Sequence, residues 1–169
     1  MSIAERKIRE QQSRINLIKK NARVIFEKKG FEAAKMEEIA ERAEISKATI
    51  YKYFKSKNDL FYEVMQEPLA QLSRDLIEIR ARQEEPEKTI ELIIEKNFYF
   101  YKEYHDIYHL VTEIKVSEIK KFISADKAVH LKEIMATNLK QMEMTINDGI
   151  KKGIFRKTDP MMGAIIMWN

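Results

Sequence analysis

No cysteine occurs in this chain, and only four glycines and three prolines are spread over its 169 residues. The first absence removes disulfide frameworks, thiolate metal sites and cysteine nucleophiles, and fits a reducing cytosol. Long apolar runs are also missing. No segment approaches the roughly 20 apolar residues that cross a bilayer, and the N-terminal MSIAERKIREQQSR lacks the apolar core of a secretory signal. A soluble, cytoplasmic protein with no membrane partner is expected. There is no phosphate-cradling glycine loop and no nucleophile–base constellation, so neither an enzyme nor a cofactor is expected.

Acidic residues are missing from one place in particular. The stretch ISKATIYKYFKSK, residues 45–57, holds four lysines, two tyrosines and a phenylalanine without a single acid, although 34 % of the whole chain is charged. Residues 1–57 carry fifteen Lys/Arg against eight Asp/Glu, whereas the remainder is net acidic. A polyanion such as nucleic acid, or an anionic membrane surface, is therefore a question for the first third alone.

What remains reads almost everywhere with helical period, which makes the expected fold all-α. A first helix over about 4–29 places Ile15, Ile18, Ala22, Ile25 and Phe26 on one stripe and stops at Gly30, in left-handed conformation. Two short helices follow, about 36–43 and from a Ser46 cap to Phe54, and a fourth opens on Ser56 and Asp59, with a kink or break expected at Pro68. The polar run 80–88 reads as a linker. Further helices read as about 87–104, 106–123 and 126–152, the last closed by Gly153, and Thr158-Asp159-Pro160 opens a final one.

Two short helices joined by about three residues have the spacing of a helix-turn-helix, whose second helix enters the DNA major groove. At 100° per residue Ile50 and Phe54 share the buried side, Ala48 and Lys52 point away, and Thr49 and Tyr51 flank them. Small, hydroxyl-bearing and cationic residues let the helix approach bases and phosphates. The alternative is an ordinary solvated lysine face.

The stretch from Ile18 to Phe61, IKKNARVIFEKKGFEAAKMEEIAERAEISKATIYKYFKSKNDLF, resembles the DNA-binding domain of the tetracycline-repressor (TetR) family of bacterial transcription regulators. The matching positions include Ala22, Phe26, Gly30-Phe31, Ile39-Ala40, Ala43, Ile45-Ser46-Lys47, Thr49-Ile50-Tyr51, Tyr53-Phe54, Lys57 and Leu60-Phe61. The resemblance implies a three-helix DNA-binding domain over 1–57 and a helical ligand-binding and dimerisation domain over 58–169. It implies a homodimer, expected to be a repressor, that binds a palindromic double-stranded operator at the bacterial nucleoid and is released by a small, lipophilic or aromatic ligand. Its DNA contacts would be Ser46, Lys47, Ala48, Thr49, Tyr51, Lys52 and Tyr53, with Lys57 clamping phosphate. Lys35 stands where the family has a capping Ser or Thr, losing a cap worth about 1 kcal/mol and gaining a phosphate-seeking charge. Glu44 stands where the turn usually has glycine, and must take a left-handed conformation or reshape the turn. The basic N-terminal residues Arg6, Lys7, Arg9 and Arg14 form either a DNA-contacting arm or a lengthened first helix.

Residues 98–108, FYFYKEYHDIY, pack six aromatics into eleven positions. In a TetR-like protein they would line the effector cavity, with Phe98, Tyr101, Tyr104 and Tyr108 as ligand contacts; the alternative is plain core packing. His105 and His109, at i and i+4, could face one metal ion, but no third ligand beyond Glu113 suggests itself, and no metal is expected. The final helix stops at Met167-Trp168-Asn169 with apolar residues uncovered, so either the dimer uses this stub with the 126–152 helix or the chain is a truncated form. The competing reading is a helical small-molecule- or metal-binding protein whose DNA binding has weakened or been lost.

Overall fold

A computed structural model describes residues 2–105, 107, 108, 121 and 123–168. Its described residues form helices α1 (Ile3–Ala33), α2 (Met36–Arg42), α3 (Lys47–Tyr53), α4 (Lys57–Ala81), α5 (Pro86–Glu103), α6 (Ala125–Lys151) and α7 (Pro160–Trp168), with no strand among them. The all-α expectation holds. Most of the helix expected over 106–123 lies outside the described residues, as do His109 and Glu113.

Local chemistry explains most boundaries. At the start of α1 the Ser2 backbone N–H donates to Glu5 Oε2 at 2.7 Å, while the Glu5 N–H donates to Ser2 Oγ at 3.2 Å, a reciprocal capping box. Gly30 takes φ 73° and ψ 169°, a region essentially reserved for glycine, and bends the chain before a last turn to Ala33. Pro86 opens α5, Gly153 follows α6 at φ 73°, and the Asp159 carboxylate accepts from the Met161 and Met162 N–H groups to start α7.

Of the kink or break expected at Pro68, the break does not occur: α4 runs on to Ala81. A proline in a helix interior costs about 3 kcal/mol. Here Pro68 is itself buried, and nine other residues from Leu60 to Ile79 are buried along the same helix, so packing holds what local propensity would release. One continuous apolar core results. Phe61 meets Phe26 edge-on at 5.3 Å and Phe31 at 4.7 Å, and further along α4 Leu69, Leu72 and Leu76 join the same cluster as Ile93 of α5 and Leu131 and Met142 of α6.

Polar pairs key α4 to α6 at four levels. Lys127 pairs with Asp59, the Tyr62 hydroxyl lies 2.5 Å from His130 Nδ1, and Ser73 Oγ donates to Asn138 Oδ1 at 2.5 Å. At the far end Arg80 donates to Thr145 Oγ1 at 2.8 Å and to Asp148 Oδ2 at 3.0 Å. The two helices therefore run in the same direction.

Candidate nucleic-acid interface and effector groove

The turn between α2 and α3 answers the question that Glu44 raises. Glu44 sits at φ 54°, the Ile45 N–H donates to Ala40 O and the Glu44 N–H donates to Glu41 O, each at 3.0 Å. This is a complete Schellman motif with glutamate at the position glycine prefers, and half-buried Ile45 packs against the core beside it. The left-handed conformation costs a non-glycine residue about 1 kcal/mol. Lys35 caps α2 without a side-chain bond, as expected.

Ser46 caps α3: its Oγ accepts from the Thr49 N–H at 3.1 Å and lies 2.8 Å from Thr49 Oγ1. Ile50 is fully buried and Phe54 nearly so, and they anchor the helix. Lys47, Ala48, Tyr51, Lys52 and Lys55 are exposed, Thr49 is half-buried, and Tyr53 leans on the core. The outward face thus contains no acid of its own.

Two lysines are placed differently from the sequence reading. Lys47 pairs with Glu37 in the first turn of α2. The Lys47 ammonium that bonds it holds the Glu37 carboxyl below the usual carboxylate range, and Glu37 in turn raises the Lys47 ammonium. Lys57 turns inward. Its Nζ donates to the carbonyls of Phe31 at 2.6 Å, Glu32 at 2.9 Å and Ala34 at 2.9 Å, and lies 4.4 Å above the Phe31 ring. An ammonium has three N–H donors, so in this geometry none is left for a phosphate, and Lys57 instead ties the end of α1 to the start of α4.

The aromatic segment divides between two neighbours. Phe98, Tyr101 and Tyr108 line a groove of about 390 Å³, closed on its other side by Ile166, Met167 and Trp168 of α7. The Tyr108 hydroxyl donates to Trp168 O at 2.8 Å, and burial pushes its phenol up. Tyr104 is not part of this groove. It faces α1, where the Arg23 guanidinium lies 4.8 Å over its ring while Arg23 donates to Glu103 O at 3.0 Å. Periodicity places Tyr104 on the neighbouring face of α5, and that face meets the DNA-binding end of the molecule. His105 faces Glu27 at 3.4 Å, and no group of three His, Cys, Asp or Glu among the described residues could hold a metal ion.

A family profile described as bacterial regulatory proteins of the tetR family matches residues 18–64, the segment that builds this helix-turn-helix. This segment is similar to the DNA-binding domain of the tetR family. It is 26 % identical over 154 residues to the HTH-type transcriptional regulator YhgD of Bacillus subtilis, covering 91 % of this chain and 78 % of that one. It is 25 % identical to the HTH-type transcriptional repressor NicS of Pseudomonas putida, over 95 % of this chain and 75 % of the relative. Its fold matches the transcriptional regulator FadR of Bacillus subtilis in complex with stearoyl-CoA, with TM-score 0.68 and 20 % identity, over 90 % of this chain and 80 % of that one.

Ser46, Lys47, Ala48, Thr49, Tyr51 and Lys52 lie together at the open side of α3. What sequence reasoning missed is Glu37, ten positions before Lys47 and joined to it only by the fold. The α7 residues of the groove were equally hidden, because no period links them to α5.

Proposed function

We propose that this TetR-family protein is a repressor that binds a palindromic operator as a homodimer in the bacterial cytoplasm, and that an apolar small molecule in the α5–α7 groove releases it. The observation that carries the reading is the acid-free outer face of α3, anchored by Ile50 and Phe54 and capped by Ser46. Ser46, Lys47, Ala48, Thr49, Tyr51, Lys52 and the half-buried Tyr53 form the DNA face, with Lys35 and Lys55 on its flanks; Lys57 supports it from within. The intact Schellman turn at Glu44 supports this reading over a vestigial helix-turn-helix.

Residues 1–57 read DNA in this proposal, and residues 58–169 bind effector and partner. Of the nine residues of α7 only Ala164 is buried, while Met162 is 54 % and Ile166 70 % exposed, which supports self-association through α7 and α6. The repressor named NicS and the stearoyl-CoA complex of FadR support repression and an apolar effector. Mobility-shift titration against a duplex selected from a random pool, with light scattering of the free protein, tests the first part; no preference over bulk DNA at moderate salt refutes it. Trp168, the sole tryptophan, borders the groove and reports on the second part. An apolar ligand that releases DNA should change its emission, and release without any change refutes the location.

A further inference from the structure

Three features decide how the cations of the recognition helix meet DNA. Lys47 is the first residue of α3, at the end of the helix that approaches the groove, and Glu37 lies in the first turn of α2. In a helix-turn-helix the first of the two helices crosses the phosphate backbone while the N-terminal residues of the second reach base edges. The pair thus sits where phosphates would pass, and both partners are open to solvent, Lys47 at 64 % and Glu37 at 49 %.

We propose that Glu37 is a specificity-determining residue, which holds Lys47 off the phosphate backbone and so lowers sequence-independent affinity. The inference rests on the DNA-binding reading above. A lysine adds to non-specific binding by displacing a condensed counterion from a phosphate. A Lys47–Glu37 pair is neutral and displaces none. If Lys47 swung to a phosphate, Glu37 would be left unpaired beside other phosphates, so the exchange gains little. The Glu37 backbone N–H at the start of α2 also favours its ionised form, which keeps the pair charged on both sides. Among the described residues Lys52 and Lys55 have no acidic partner, so the sequence-independent attraction falls to them and to Lys35, while Ala48, Thr49 and Tyr51 are left to read bases. A phosphate contact made equally on every sequence would cancel from the selected-to-mixed ratio; discrimination rises because sequence-independent complexes draw essentially all of their affinity from phosphate contacts, whereas a complex held by base contacts gains less from one more.

The test uses the full chain as wild type, Glu37→Gln, Lys47→Met and the double variant, against a mixed-sequence duplex of about 30 base pairs and a duplex selected from a random pool by the wild type. Anisotropy titrations span salt from about 50 to 200 mM, where each phosphate contact carries a slope near 0.9 in log K against log salt. Glu37→Gln should bind the mixed duplex about threefold to tenfold more tightly and steepen the slope by about 0.9, and its selected-to-mixed ratio should fall. Adding Lys47→Met to it should abolish that gain and restore the wild-type slope. An unchanged slope in Glu37→Gln overturns the proposal, as does a gain that survives in full in the double variant, since Glu37 would then act by repulsion alone. An unchanged selected-to-mixed ratio overturns the specificity role. Failure of the wild type to bind either duplex has a different signature: it refutes the DNA-binding reading and takes this inference with it.

Discussion

Replacing Lys57 by methionine separates a structural lysine from a phosphate-binding one. The variant keeps the aliphatic stem and removes the ammonium that now receives no competition for the carbonyls of Phe31, Glu32 and Ala34. The Phe31 and Ala34 bonds are part-buried, and losing each should cost about 1 kcal/mol. The Glu32 carbonyl is exposed and rehydrates, while the lost contact with the Phe31 ring adds about 0.5–1 kcal/mol. The sum is about 2–3 kcal/mol, which for a chain of this size lowers Tm by roughly 5–10 °C. Thermal unfolding followed by circular dichroism gives that number, and a salt titration of DNA binding gives the second. The slope should stay at the wild-type value. A variant that melts within about 1 °C of wild type and loses about 0.9 from the slope would show that Lys57 serves phosphate, and the reasoning would fail.

Glu44→Gly should raise stability by about 1 kcal/mol, since glycine accepts the left-handed turn without strain, and denaturant unfolding measures it; a loss would mean that the side chain has a stabilising role. Gly149→Ala should destabilise by about 1–3 kcal/mol, because a Cβ there would lie 2.1 Å from the Phe155 ring, and calorimetry reads the drop; an unchanged Tm would show that the ring moves aside freely. Asp59 is held below its ordinary value of 3.8, first by the Lys127 ammonium and then by Ser56. A depressed carboxylate stabilises the fold above its unfolded value and loses that contribution as pH falls through the lower folded one. Lys127→Met should therefore be less stable than wild type at neutral pH, with the gap closing below about pH 3.8; a gap independent of pH would assign the effect to packing of the Lys127 stem.

Features set by local chemistry were readable from the sequence, and those set by distant neighbours were not. The Ser46 cap and the Ile50–Phe54 anchor each depend on residues within a turn or two, where period and capping rules apply, whereas Gly30 bends α1 rather than ending it as expected. Pro68 suggested a possible break because its cost is local, while the packing that keeps α4 continuous is tertiary. Lys57 misled for the same reason: its acceptors lie 23–26 positions earlier, and no period connects them. Within the aromatic segment, periodicity separated Tyr104 from Tyr101 but did not say that one face meets α1 and the other α7. Glu37 carried no signal beyond its charge.

The polar pairs at four levels between α4 and α6 join residues 65 to 68 positions apart throughout. They work as the teeth of a key. A slide of one helix past the other by a turn, about 5.4 Å, would break every pair at once, including the buried Ser73–Asn138 bond. Shear between these two helices is thereby the costly motion, and tilting of both as one body the cheap one. Because only three residues separate α3 from α4, such a tilt would carry directly to the recognition helix. In the release by an effector proposed above, spin labels on α4 and α6 should keep their separation, and a change of several ångströms between them would rule out the rigid pair.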